Sequence, residues 1–261
     1  MRASARSLAW RLALPLAAVI AWFGLSRVLT SPTARMMFPP PEAIYDALVR
    51  LSTTTGLYGI PMLGAHMLDS LWRLGLGFGA ATAVGVPLGF AIGYFRIAER
   101  CLDPLVQILR PISPIAWIPI TLTWFGVGTP TVVFVVFYGA LFPIVLNTIG
   151  GVKGINRLYL RAALTCGYGP LAILRKVVLP AALPAILTGL RIGLGVGWMS
   201  IIAAELVGTR SGLGYMISEA RFHLDIESIV VGMLAIGLLG LLTDRGVRWL
   251  QATLVPWHGK L

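Results

Sequence analysis

The chain has 261 residues, of which 57% are hydrophobic and only 12% charged, with a formal net charge of +11. A soluble domain usually carries about a quarter charged residues, so this composition excludes an ordinary water-soluble globule and leaves apolar surface for lipid. The basic excess does not indicate nucleic-acid binding, because the Lys and Arg residues sit in short stretches between apolar runs, where they set topology.

A membrane-crossing helix needs about 20 mostly apolar residues. Six stretches qualify, at roughly 9–29, 70–94, 104–125, 130–150, 185–207 and 228–250. The expected fold is therefore all-α and polytopic, one transmembrane domain over residues 1–261 with about six spanning helices. Arg2, Arg6 and Arg11 lead into the first run as in a signal peptide. No small-residue cleavage site follows, so this helix is expected to be retained.

Residues 30–68 form a long connection. Phe38-Pro39-Pro40-Pro41 reads as extended chain, and Glu42 to Leu51 as a short amphipathic helix at the membrane surface. The second span carries Gly75, Gly77, Gly79, Gly85, Gly89 and Gly93, small residues that let helix backbones approach closely. The third carries Pro111, Pro114 and Pro119, which predict an irregular span of the kind tolerated where backbone lines a cavity. A polar segment over about 153–182 follows the fourth span. A second one, 208–227, follows the fifth, with Gly208, Arg210, Gly212, Gly214, Glu219, Arg221, Asp225 and Glu227. It is expected to fold against the outer mouth.

Orientation follows from the connections. One set holds Arg2, Arg6, Arg11, Arg96, Arg100, Lys153, Arg157, Arg161, Arg175, Lys176, Arg245, Arg248 and Lys260; the opposite set holds Arg27, Arg35, Arg50, Arg210 and Arg221. The richer set belongs in the cytoplasm, which places both termini there, in keeping with an even number of spans. Cys101 and Cys166 then lie on the reducing side, and their number gives no disulfide framework or metal spacing.

Familiar catalytic chemistry is absent. The sequence has no Gly-x-x-x-x-Gly-Lys-Ser/Thr phosphate loop, so this chain is not expected to bind or hydrolyse ATP. It has no His-Glu-x-x-His and no Gly-x-Ser-x-Gly elbow, and His66, His223 and His258 lack metal-ligand spacing. Clustered acid–base or metal residues that a membrane enzyme needs are missing. No inverted repeat of the kind found in secondary transporters is evident.

The segment 153–182 is the basic island of the chain. Tyr159 to Cys166 reads as a helix with Ala162 and Ala163 on a flat face and Gly167 as its stop. Pro170 opens a second helix, which Leu179-Pro180 is expected to end near Val178. Arg161-Ala162-Ala163, Gly167 and Val177-Val178-Leu179-Pro180 resemble the cytoplasmic coupling loop of permease subunits of bacterial ABC importers. That signature reads Glu-Ala-Ala, a glycine four residues after the second alanine, and Ile/Val-x-Leu-Pro further on. Arg161 stands where the glutamate usually stands.

The resemblance extends further. Arg110 to Pro119, Leu179 to Pro184, Thr188 to Gly195 and Ala203-Ala204-Glu205 are similar to the taurine/sulfonate/nitrate branch, and the tail Pro256-Trp257-His258-Gly259 is most similar to taurine permeases. It implies a non-catalytic translocation subunit that works with a second permease subunit (a homodimer), two ATPase subunits that bind ATP and Mg, and a periplasmic substrate-binding protein. It implies ATPase coupling through Arg161, Ala162, Ala163, Gly167, Leu179 and Pro180. The implied cargo is a small anion carried across the inner membrane: taurine or another alkyl sulfonate, then nitrate or bicarbonate. A channel or secondary transporter working without an ATPase is the other reading.

Trp117, Trp124, Asn147, Trp198, Ser200 and Glu205 lie in apolar surroundings and are candidates for the translocation path or gate. The tryptophans either line a passage or anchor at the membrane interface. Glu205 is costly within a span and would repel an anion, so it is expected to pair with a basic group or to lie at the gate or binding-protein contact. Arg110 and Arg191 either draw an anion inward, or snorkel or pair with Asp103.

Overall fold

A computed structural model describes residues 38–56 and 59–255, with positions 13, 17, 20–24 and 26. Most of the first expected span and the 256–259 tail lie outside the described residues. The described chain is α-helical. The helices are α1 (Pro41–Thr53), α2 (Met62–Tyr94), α3 (Arg96–Leu109), α4 (Ile118–Phe125), α5 (Thr129–Lys153), α6 (Arg157–Thr165), α7 (Pro170–Gly208), α8 (Leu213–Phe222) and α9 (Ile226–Leu254). A 3₁₀ turn, Pro114–Trp117, leads into α4. No strand occurs among the described residues, only an isolated bridge between Thr55 and Pro61.

Among the described residues, α2, α5, α7 and α9 are long and apolar enough to cross a membrane. The third expected span, 104–125, is not a single rod. The segments Arg96–Leu109 and Pro114–Phe125 meet at a bend of 85°. Pro114 lacks an N–H and disfavours helical backbone in the residue before it. Ser113 accordingly adopts ψ 136°, and the helix stops and restarts.

The chain separates into two compact units, Met1–Ala65 with Met216–Leu234, and His66–Tyr215 with Ala235–Leu261. In the first, Pro41 opens α1 at its first turn, and Ile44, Ala47 and Leu51 form its buried face. The end of α8 closes with Leu224 N–H on the Arg221 carbonyl and Asp225 N–H on the Ala220 carbonyl. This Schellman cap puts Leu224 at φ 56°. Asp225 then caps α9, accepting from Ser228 N–H at 3.0 Å.

The second unit is held by close helix approaches. Added Cβ atoms on Gly77, Gly89 and Gly93 of α2 would come within 2.7–2.8 Å of Val136, Thr148 and Val152 of α5, while Gly75 and Gly79 face open space. The glycine pattern thus serves contact along one stripe only. Helices α5 and α7 meet in the same manner, with Gly189 against Asn147 and Gly193 against the Ala140 carbonyl. Ala81, Ala140 and Ile144 are fully buried at the centre. A second cluster joins Ile92, Val106, Tyr138, Phe142, Val145 and Ile149.

Helix α7 corrects another expectation. Leu179-Pro180 does not end a helix; the chain stays helical from Pro170 to Gly208. Residues Leu174–Val178 form a π-turn, and Leu179 N–H reaches back to the Leu174 carbonyl. A wider turn accommodates the proline ring, which would clash with the carbonyl four residues earlier in a regular helix. The result is a local adjustment inside a continuous helix rather than a stop.

Candidate functional site

The polar segment after α5 is built to present a surface. Asn156 caps α6, its side chain accepting from Leu158 N–H at 2.9 Å. At the other end Gly167 N–H reaches the Leu164 carbonyl and Tyr168 N–H the Ala163 carbonyl, a Schellman cap with Gly167 at φ 76°. Ala163 is buried with Val152, Ile173, Val178, Ala182 and Ile186. That cluster ties α6 to the adjoining ends of both α5 and α7.

The opposite face is open. Leu158, Tyr159, Leu164 and Leu171 are all at least 56% exposed, between the exposed Arg157, Arg161 and Arg175. Ala162 is exposed and lines a cleft of about 870 Å³ with Gly151, Cys166, Tyr168, Pro180 and Ala185. Lys176 lies over the Tyr168 ring, 5.1 Å from its centroid. Leu179 is exposed and Pro180 half-buried. Arg161 makes no side-chain hydrogen bond or ion pair among the described residues; its carbonyl accepts from Thr165 Oγ1 at 3.0 Å. Arg161, Ala162, Ala163 and Gly167 thus lie on or at the end of one short helix, with Leu179 and Pro180 following on α7.

At the other end of the bundle, Glu205 is 1% exposed and has a basic partner. Arg73 Nη1 donates to its Oε1 at 2.9 Å. Ser70 Oγ donates at 2.8 Å and Gly214 N–H at 3.0 Å to its Oε2. Arg73 also donates to Ser211, to the carbonyl at 2.7 Å and to Oγ at 2.6 Å. Gly212 N–H donates to His66 Nδ1 at 3.0 Å and Leu213 N–H to Ser70 Oγ at 2.8 Å. Gly212 lies against the Glu205 carboxylate, where a Cβ would collide. The network fastens the turn after α7 to α2. Sequence reading missed Arg73, Ser70 and His66, although an arginine in an apolar run signals a need for an acid.

The remaining candidates do not converge on one site. Trp117 packs on Tyr138 and Phe134, with ring centroids 5.1 and 5.9 Å away, and its buried Nε1 has no hydrogen-bond partner. Trp124 is 59% exposed beside Phe125 and Phe134. Trp198 is buried and donates to Thr243 Oγ1 at 2.9 Å, which fixes α7 to α9. Ser200 is buried where α7 crosses Gly139 of α5. Asn147 donates to the Pro143 carbonyl at 2.8 Å and lines a second cleft, of about 540 Å³, together with Arg110. Arg191 pairs not with Asp103 but with Asp244, at 2.6 Å, one turn from Arg248, which binds the same carboxylate.

Comparison with known proteins is consistent with this geometry. A putative ABC transporter permease of Methanocaldococcus jannaschii is 39% identical over 99% of this chain and 95% of its own length. The taurine transport system permease of Escherichia coli is 35% identical over 92% of this chain and 86% of its own. The bicarbonate transport system permease of Synechococcus elongatus is 38% identical over 91% and 87%. A solved structure of the inward-facing MetNI methionine ABC transporter shares the fold, with a TM-score of 0.64 at 21% identity over 74% of this chain and 95% of the matched one. Residues 85–256 match the model of the binding-protein-dependent transport system inner membrane component, and the chain belongs to that family, the permease subunits of ABC transporters.

Proposed function

We infer that this chain forms half of the translocation path of an ATP-driven importer for a small anion, with an alkyl sulfonate such as taurine as its first candidate cargo and nitrate or bicarbonate next. Two copies, two ATPase subunits and a substrate-binding protein make up the assembly. Both termini face the cytoplasm. ATP and Mg belong to the ATPase, and this chain supplies no catalytic group. The relatives that carry taurine and bicarbonate in their names support a cargo that bears an oxyanion group.

One observation carries the reading. The segment Arg157–Thr165 is a fully capped helix that shows lipid-like side chains and arginines on a face outside the four long apolar helices. Apolar side chains of that size exposed on a charged, water-facing segment mark a protein contact. Its buried face packs through Ala163 on Val152 of α5 and on Val178 and Ala182 of α7. A displacement of α6 by an ATPase is therefore transmitted to two spanning helices at once. The π-turn at Leu174–Val178 lies inside that linkage and is a place where α7 can change its helical winding.

The test is Gly167→Val. Nothing lies within 4 Å of an added Cβ, but φ is 76°, so the cap rather than the packing is attacked. In vesicles holding the complete importer, substrate uptake is expected to collapse while membrane insertion stays normal. Undiminished uptake by this variant refutes the coupling role.

A further inference from the structure

Three arginines lie away from the basic termini and connections: Arg73, Arg110 and Arg191. Two have a carboxylate partner within the chain, Arg73 in Glu205 at 2.9 Å and Arg191 in Asp244 at 2.6 Å, the latter shared with Arg248. Arg110 has no ion pair or side-chain hydrogen bond among the described residues. It stands at the break of the bent pair, directly after α3, and lines the cleft of about 540 Å³. A guanidinium keeps its charge at any physiological pH. Its side chain is exposed, and an arginine at the edge of an apolar bundle with no acid partner in its own chain marks a place where an anion can be met.

The rest of the lining narrows the ligand. Arg110 is the only charged residue there among the described residues, and Pro143, Phe142, Ile192 and Val196 give an apolar wall. No carboxylate of the described residues lines the cleft, so the ammonium of a zwitterion such as taurine would find no counter-charge in it, and within the sulfonate class the cleft favours a simple alkyl sulfonate. Asn147 spends one amide hydrogen on the Pro143 carbonyl and keeps a second donor. The Tyr138 hydroxyl donates to the Leu109 carbonyl at 2.7 Å, which fixes the residue before Arg110 and so the origin of its side chain. The volume lies within the range of small-molecule pockets.

We propose that this cleft is a transit site for a monovalent organic oxyanion, with the charged end on Arg110 and a short apolar body against Phe142, Pro143 and Ile192. A single charged contact suits transit, since cargo must be held strongly enough to enter and weakly enough to leave. The proposal rests on the reading of the chain as an anion importer.

The experiment uses the complete importer in lipid vesicles, with butanesulfonate at saturating binding protein. Arg110→Gln is expected to lower the maximal uptake rate about tenfold or more, the loss of one charge-assisted contact. Arg110→Lys keeps the charge without the fork and is expected to retain about a third of the rate. ATP hydrolysis without substrate and the melting point in detergent stay at wild-type values. Wild-type uptake by Arg110→Gln overturns the proposal. Equal losses in both variants with a lowered melting point also overturn it, since that is a structural role. A defect that appears only in vesicles with anionic phospholipid assigns Arg110 to lipid headgroups and overturns it too. If wild type takes up nitrate but no sulfonate, the sulfonate preference of the preceding subsection fails by itself while its anion class stands. A tenfold Arg110→Gln loss on nitrate then upholds an anion site and removes the organic body from it.

Discussion

The two ends of the bundle treat charge in opposite ways. Around Glu205 the charged and polar groups are buried and satisfy one another, with Arg73, Ser70, Ser211 and Gly214 all engaged. On α6 the arginines are exposed, and the buried face is purely apolar. The first arrangement is complete within one chain and leaves no valence for a partner. The second leaves both charge and apolar area unspent, as a docking face must. Position in the fold thus separates charges that build the protein from charges offered to something else.

The sharpest way to break this contrast is Glu205→Ala. Removing the acid strands the buried Arg73 guanidinium, and losing one partner of a buried pair costs about 3–5 kcal/mol. Melting in detergent is expected to fall steeply, with Glu205→Gln in between because an amide can still accept from Ser70 and Gly214. A melting point unchanged by Glu205→Ala means the network does not hold the turn after α7. Gly167→Val gives the opposite signature. The strain of a side chain at positive φ is about 1–2 kcal/mol, confined to a cap, so melting moves little while uptake collapses.

Arg161→Glu is a smaller perturbation. An exposed charge without a partner in its own chain changes stability by less than about 0.5 kcal/mol. If the arginines on this face contribute to docking, retention of the ATPase by the purified permease drops at low salt, and the difference fades as salt rises. Equal retention at all salt concentrations assigns docking to Leu158, Tyr159, Leu164 and Leu171 alone.

What the sequence disclosed, and what it hid, follows the same division between local and distant. The short helix after Pro40, the stop at Gly167 and the irregular third span are written in adjacent residues: a proline at a first turn, a glycine after an apolar helix, prolines at 111, 114 and 119. The Arg73–Glu205 pair joins residues 132 positions apart, and no local pattern selects that partner over another. Leu179-Pro180 misled for a related reason. A proline predicts a break, but whether the chain breaks or widens by one residue depends on the packing that Val178 and Ala182 find against Val152 and Ala163. Of the path candidates, tryptophan in an apolar run gave no means to tell Trp198, bonded to Thr243, from the exposed Trp124.

The smallest expected effect belongs to the connection between α8 and α9, where a pair lies between these two extremes. Arg50 Nη2 donates to Asp225 Oδ2 at 2.6 Å, with side-chain exposures of 58% and 29%. Partial burial works to raise the Asp225 carboxyl. The Ser228 backbone and hydroxyl hydrogen bonds and the nearby Arg50 charge outweigh it and hold the group below the usual aspartate range. A depressed folded value means that the unfolded chain takes up the proton first. The stabilisation is therefore complete above the ordinary aspartate value, about 3.9, and is lost as pH falls through the lower folded value. With Arg50 so exposed, the ion pair is worth below about 1 kcal/mol, and the helix cap adds a comparable amount. Amide exchange at Ser228 and Ile229 is the measurement that isolates it. Protection in wild type is expected to decline as pH falls through the ordinary aspartate range and on through the lower folded value, beyond the intrinsic pH dependence of exchange. In Asp225→Asn the neutral amide still caps α9, and that extra decline disappears. An identical acid-side decline in both proteins means that another carboxylate governs this turn, and the partly exposed pair then belongs with the unspent charges of α6 rather than with the closed network at Glu205.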